Sequence, residues 1–96
     1  MKYFHRTSVG PDTVLAAAQR FFGTTLAPLE AAPRRAGFAG SIGRIGITVQ
    51  AEGGHYTLVT AETDQVGESE ADKLAKRFLT MVHTLADPTH RPIGAY

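Results

Sequence analysis

Residues 66–87, VGESEADKLAKRFLTMVHTLAD, decide the fold of this 96-residue chain because they predict one long amphipathic helix. Ser69 precedes Asp72 by three positions, the spacing of an acidic capping box in which a hydroxyl and a carboxylate satisfy free amide donors. Asp87 and Pro88 end the helix, since proline disfavours a helical residue before it. The apolar residues share one broad face: Ala71, Leu74, Ala75, Phe78, Leu79, Met81, Val82, Leu85 and Ala86. That face needs a sheet to cover it.

The chain begins with a strand and a shorter helix. Residues 2–9 alternate in polarity and include Tyr, Phe, Thr and Val, which predicts a strand. Pro11 suits the first turn of a helix because it has no amide hydrogen. Gly23 predicts a left-handed cap at the end of that helix. Its apolar face comprises Val14, Leu15, Ala17, Ala18, Phe21 and Phe22.

The middle of the chain is rich in proline and glycine. Pro28 and Pro33 bracket residues 29–32, which predicts a single helical turn there. In residues 37–46 the large apolar residues lie at even-numbered positions before Gly43 and at odd-numbered positions after it. Two interpretations stay open: two strands joined at 41–44, or one long bulged strand.

A hairpin precedes the long helix. Glu52-Gly53-Gly54 predicts a tight turn, and residues 55–63 predict the strand that follows it. The sequence therefore predicts one α+β domain over residues 1–96, with a Pro-rich C-terminal tail at 88–96. The expected order is strand, helix, short helical turn, three strands, helix. About four strands form an antiparallel sheet, with both helices on one of its faces.

This layout resembles a shortened helix-grip fold, the fold of START-like lipid carriers, plant allergens and polyketide cyclases. Val9-Gly10-Pro11-Asp12-Thr13-Val14 is similar to the Val-x-x-Pro-x-x-Val pattern that introduces the first helix there, with Pro11 one place early. The resemblance implies an arrangement, with the helices packed on an antiparallel sheet. Candidate residues for an apolar ligand are Phe22, Phe38 and Tyr56.

Composition narrows the class of partner. The chain has no cysteine, which excludes disulfides and thiolate metal sites. Its net charge of +1 argues against nucleic acid and anionic lipid as partners, since both demand a basic excess. The apolar runs are too short for a membrane span, and no signal region follows the first residues. We expect a cytoplasmic protein without a cofactor.

The four histidines offer no metal-binding spacing. His5, His55, His83 and His90 contain no i, i+4 pair and no HExxH or HxH arrangement. The sequence accordingly predicts no metal site. An enzyme of the cyclase or isomerase kind is one alternative function, with His5, His55 or Glu62 as its proton shuttle.

Apolar residues occupy both the odd and the even positions of the predicted strands. Because alternate residues point to opposite faces of a sheet, this predicts that both faces are buried. Two helices cover only one side of a sheet, and monomers rarely leave a large apolar patch in water. A homodimer resolves this, with Phe4, Ile93 and Tyr96 as contact candidates. The leading hypothesis is a small non-enzymatic module that dimerises and binds a protein partner or a small apolar ligand. RNA binding through aromatic and basic residues of the sheet is a further alternative.

Overall fold

A computed structural model of the protein describes residues 1–86. Five strands form one antiparallel sheet in the order β1-β5-β4-β3-β2. The predicted α+β class and the general order of elements are confirmed, with five strands in place of about four. In chain order the elements are β1 (Lys2–Thr7), α1 (Pro11–Gly23), β2 (Ala27–Ala32), β3 (Arg35–Gly40), β4 (Gly43–Glu52), β5 (Tyr56–Thr63) and α2 (Glu70–Ala86).

Both helices pack on one face of the sheet. Helix α1 lies over β3 and β4, and α2 lies over β5 and β1. The strands turn alternate residues toward the helices, so that the cross-strand pairs Ile47–Ala61 and Val49–Val59 are fully buried. The first strand, β1, lies beside the last strand, β5, and β1 and β2 form the two edges of the sheet.

Phenylalanine rings fill the space between the helices and the sheet. The Phe22 ring centroid lies 5.1 Å from those of Phe38 and Phe78. Phe21 packs against Phe78 at 5.6 Å. Phe22 and Phe78 are wholly inaccessible to solvent. These separations are those of tilted, attractive aromatic pairs, so the interior here is a packed core.

Strand β2 occupies the segment for which the sequence predicted a helical turn. Ala27–Ala32 pairs with β3, with a register shift between Pro28 and Glu30. Pro28 is tolerated because an edge strand has one side without hydrogen-bonding partners. All six side chains of β2 are exposed. Local preference therefore decided little, and pairing with β3 decided the conformation.

The end of α1 also differs from the prediction. Gly23 belongs to the helix and does not take a left-handed conformation; Thr24 follows it with φ of −80°. The Thr25 and Leu26 amides both donate to the Phe22 carbonyl, at 3.0 and 2.7 Å. A tightened last turn thus satisfies the carbonyl that a glycine cap would have served. The predicted start is confirmed, with Pro11 at the first helical position.

The turns of the sheet are set by glycines with positive φ. Gly43, at φ of 125°, follows a two-residue turn between β3 and β4, so the interpretation as two strands is confirmed. Gly53 and Gly54, at 60° and 75°, form the predicted hairpin turn before β5. Neither helix among residues 1–86 is long and apolar enough to cross a membrane.

Candidate functional site: the open face of the sheet

The face of the sheet opposite the helices is not covered by any other element among residues 1–86, and we call it the open face. Its residues follow from strand alternation and from the cross-strand register. Its central pair is Thr48 of β4 and Thr60 of β5, which are direct partners. The other members on the four strands β1, β5, β4 and β3 include Lys2, Phe4, Arg6, Tyr56, Leu58, Glu62, Gly46, Gln50, Arg35 and Gly37.

Leu58 and Tyr56 lie toward one end of the open face, and Phe4 lies beside the central pair; we call these three large apolar side chains the apolar patch. Phe4 and Tyr56 are 63% and 57% exposed, and Leu58 is partly buried. Phe4 is paired with Thr60 and therefore lies diagonal to Leu58, a distance that aromatic side chains can span. The patch is a contiguous apolar surface in contact with water.

Two glycines create a hollow at the other end. Gly37 of β3 and Gly46 of β4 are cross-strand partners, so two adjacent positions of the open face carry no side chain. A depression of about 550 Å³ lies here, and we call it the glycine depression. Its lining residues are Leu29, Glu30, Arg35, Gly37, Phe38, Arg44, Ile45, Gly46, Glu62, Thr63 and Asp64.

Arg35 lies flat against the sheet at the border of this depression. Its Nε donates to Glu30 at 2.5 Å and its Nη1 to Thr48 at 3.0 Å. A Cβ atom at Gly46 would come within 3.0 Å of the Arg35 Nη2 atom. The absence of a side chain at Gly46 is therefore what allows the guanidinium to rest on the strand.

The charges of the open face balance. Lys2 pairs with Glu62 at 3.3 Å, and Arg6 pairs with Glu52 at 2.7 Å. Beside the depression, the Arg44 backbone amide donates to Asp64 at 2.9 Å, and this bond, together with one from Gln65, lowers the pKa of that carboxyl. The face thus lacks the cationic excess that phosphate backbones require.

Both edges of the sheet are protected from pairing with another strand. Edge strand β1 carries Lys2 and Arg6, both exposed, and edge strand β2 carries Pro28 and an irregular register. Lysine, proline and bulges are the devices by which edge strands avoid association. An antiparallel β1–β1 pair centred on Phe4 would also place Lys2 opposite Arg6.

A second polar cluster surrounds Asp72 at the start of α2. This residue is fully buried, and its carboxylate accepts hydrogen bonds from the hydroxyls of Tyr3, Thr63 and Ser69. Desolvation works to raise the pKa of Asp72, but the three hydroxyl donors hold it below its usual value. The Asp72 amide donates to Ser69 Oγ at 3.1 Å, which confirms the predicted helix cap.

Tyr3 is affected in the opposite direction. Burial and the hydrogen bond to the Asp72 carboxylate raise the pKa of its phenol, and the Lys76 ammonium lies 5.0 Å from its ring centroid. The acceptors and donors of this cluster are engaged with one another. Neither the glycine depression nor a second cavity, a groove between α1 and β2, is lined by Asp72 or Tyr3. The cluster is therefore a structural joint between β1 and α2.

The candidate catalytic residues are dispersed. His5 is paired with Val59 of β5 and turns toward α2, whereas His55 is exposed in the β4–β5 turn, four positions from Val59. Glu62 lies on the open face in its ion pair with Lys2. The structure therefore brings together no two of His5, His55 and Glu62, and pairs His5 instead with His83 of α2 at 5.9 Å between ring centroids.

The candidate ligand and contact residues also separate. Phe22 and Phe38 belong to the packed core, and Tyr56 belongs to the apolar patch together with Phe4. Ile93 and Tyr96 lie outside the described residues. A groove of about 240 Å³ does exist between α1 and β2, lined by Gln19, Gly23, Pro28, Glu30, Ala31 and Phe38.

Sequence reasoning missed the glycine depression and the two-histidine contact. The signal for the depression was present, because a two-residue turn at Ser41 and Ile42 makes Gly37 the partner of Gly46. That pairing can be predicted only when the position of the turn is known to within one residue. The contact between His5 and His83 depends on how α2 lies on β1, and no local pattern encodes it.

A comparison with protein-family models finds no match, and a comparison with curated proteins finds none either.

Proposed function

We propose that this protein is a small, non-enzymatic binding module that associates with a second copy of itself through the open face. The observation that carries the proposal is the coexistence, on one uncovered sheet face, of an exposed apolar patch and of a depression over two adjacent glycines. Each is a complementary shape for the other, and both lie on rigid strands.

The open face is large enough for a specific interface. Five strands spaced about 4.8 Å apart and about 20 Å long span roughly 500 Å² per copy. Two such faces together reach the value of about 1,000 Å² at which specific interfaces begin. Nearly the whole face must take part, so the apolar patch and the glycine depression both belong to the contact.

A two-fold arrangement satisfies both features at once. The apolar patch, on β1 and β5, and the glycine depression, over β4 and β3, lie diagonally across the Thr48–Thr60 pair. A two-fold axis running between the sheets over that pair places the patch of each copy on the depression of the other. Phe4 and Tyr56 then pack over the glycine depression against Arg35 and Arg44, where a cation over an aromatic ring adds attraction.

Charge and edge chemistry favour this mode over the others. The balanced ion pairs of the open face are compatible with an identical face, whereas RNA binding requires an excess of cations. Growth of the sheet at its edges is opposed by Lys2, Arg6 and Pro28. The dispersed positions of His5, His55 and Glu62 likewise favour a binding role over an enzymatic one.

A small apolar ligand between helices and sheet remains the second proposal. The groove between α1 and β2 supports it, because Gly23, Pro28, Ala31 and Phe38 give it a mostly apolar wall. The resemblance to the helix-grip fold stays a prediction. The position of β1 beside β5 at the end of an antiparallel meander is in keeping with it.

Sedimentation equilibrium tests the dimer. We expect the chain to sediment at twice its 10.3 kDa mass at micromolar concentration. Phe4→Lys should shift the association toward monomer by at least tenfold in Kd. Val66→Lys is the matched control, since Val66 is 81% exposed and lies between β5 and α2, outside the strands of the open face. A native chain that stays monomeric, or a Val66→Lys effect as large as that of Phe4→Lys, would contradict the proposal.

A further inference from the structure

His5 and His83 form a contact on the helix-covered side of the sheet. The His5 ring on β1 lies 5.9 Å from the His83 ring on α2, with the ring planes inclined by 74°. Both side chains are partly buried. This contact is on the opposite side of the sheet from the proposed dimer interface and does not depend on it.

One atom of the pair lacks a partner. The Nε2 atom of His5 is buried and makes no hydrogen bond with any group among residues 1–86. A buried polar atom without a partner is uncommon in folded proteins, and an ion or a water molecule is a frequent explanation. Desolvation, and to a smaller extent His83, lower the pKa of His5 from its ordinary value of 6.5.

We propose that His5 and His83 together bind a divalent transition-metal ion of the Zn²⁺ and Cu²⁺ class. An ion about 2.0–2.1 Å from one nitrogen of each ring sets the ring centroids about 5 to 6 Å apart, and the observed separation of 5.9 Å lies in this range. Neutral imidazole is a preferred ligand of these ions, whereas Mg²⁺ and Ca²⁺ select oxygen.

The protein supplies two ligands to this site. Among residues 1–86, no group of three or more His, Asp and Glu side chains converges on one point. Water or a small ligand from solution completes the coordination, and the ion keeps positions open for exchange. The site therefore differs from a closed structural zinc centre, which takes four protein ligands.

Binding at this position has a structural consequence. The ion would join β1 to α2 near the C-terminal half of the helix, as the Tyr3–Asp72 bond does near its start. Because two immobilised imidazoles exist only in the folded state, the ion stabilises that state by mass action. Zn²⁺ should raise the melting temperature in a concentration-dependent manner, and Mg²⁺ should leave it unchanged.

The experiment uses a tag-free chain in which the two other histidines are removed. The His55→Ala/His90→Ala variant keeps only the proposed pair, and His5→Gln and His83→Gln are each added to it. Zn²⁺ and Cu²⁺ are titrated by calorimetry, with Mg²⁺ as the negative control. Circular dichroism verifies that every variant is folded, and ¹⁵N spectra report on the ring nitrogens.

We expect the double variant to bind one ion per chain and to show shifted ring-nitrogen signals of both His5 and His83. Either glutamine variant should weaken binding at least tenfold while remaining folded. No saturable binding by the double variant would overturn the proposal. So would binding that persists in folded His5→Gln protein, since the ion would then be held elsewhere.

Discussion

The Tyr3 hydroxyl donates a hydrogen bond of 2.8 Å to the Asp72 carboxylate and thereby ties the first strand to the first turn of the last helix. The two residues are 69 positions apart in the chain. Asp72 is also the third residue of α2, where a negative charge interacts favourably with the helix dipole. One buried carboxylate thus holds the capping residue Ser69, anchors β1 and accepts a hydrogen bond from the Thr63 hydroxyl of β5.

Removal of the cap should weaken the fold measurably. Ser69→Ala deletes the acceptor of the Asp72 amide and one donor to the Asp72 carboxylate, and should cost about 1–2 kcal/mol in urea denaturation. Ser41→Ala, at an exposed turn, is the control and should stay close to the native value. Equal stability of Ser69→Ala and native protein would show that Asp72 does not depend on this hydroxyl.

Phe78 should be costly to truncate. Its ring is fully buried against Phe21 and Phe22, so Phe78→Ala removes apolar contact and leaves a cavity, at a cost of about 3–5 kcal/mol. Leu85→Ala, on an exposed position of the same helix, is the control. Denaturation curves that place Phe78→Ala within about 1 kcal/mol of the native chain would mean that α2 faces the sheet differently.

The dependence of stability on pH should report on His5. The folded pKa of His5 lies below its ordinary value of 6.5, so the unfolded state takes up the proton first as the pH falls. The free energy of unfolding should therefore decline below about pH 6.5, whereas no such decline arises above it. The measurement is urea denaturation at pH 7 and pH 5 in the presence of a metal chelator.

His5→Leu should reduce the decline in the free energy of unfolding between pH 7 and pH 5. It removes the imidazole whose charged form is destabilised by burial in the folded state. His55→Leu changes an exposed histidine of the β4–β5 turn and should keep the native dependence. The same slope in His5→Leu and native protein between pH 7 and pH 5 would assign the decline to other groups. Protonation of Asp72 lowers the free energy of unfolding only at still lower pH, since the ordinary pKa of Asp72 is 3.8 and its folded pKa is lower still.

Elements with strong local signals were predictable. Ser69, Asp72 and the apolar spacing that follows them located α2, and Pro11 located the start of α1. The pair Gly53-Gly54 located the hairpin because both residues adopt positive φ, which glycine tolerates best. In each of these cases the physical cause lies within a few residues of the effect.

Elements that depend on distant partners were not predictable in the same way. Residues 29–32 have no local preference for a strand and become one because β3 offers an edge to pair with. The Gly37–Gly46 depression and the His5–His83 contact arise from register and from helix placement. Those are properties of the assembled fold, so a candidate site built from them needed the structure.

Filling the glycine depression should weaken association without unfolding the chain. Gly46→Val adds a β-branched side chain whose Cβ would meet the flexible end of Arg35, and valine suits a strand. We expect at least a tenfold rise in the dimer Kd, measured by sedimentation. Gly23→Ala is the control, because a Cβ there meets nothing within 4 Å and the residue belongs to α1. An unchanged Kd for folded Gly46→Val would exclude the depression from the interface.

The most direct test of the open face as the dimer interface is cross-linking through a single cysteine. The native chain has no cysteine, so Thr60→Cys introduces one thiol, beside the expected two-fold axis. Facing sheets lie about 10 Å apart, so a bismaleimide with a spacer of about 8 Å can join two such thiols. Arg77→Cys, exposed on α2, is the control. We predict that mass spectrometry will find mostly covalent dimer for Thr60→Cys and mostly monomer for Arg77→Cys. Equal yields from the two variants, or dimer from Arg77→Cys alone, would contradict burial of the open face against a second copy.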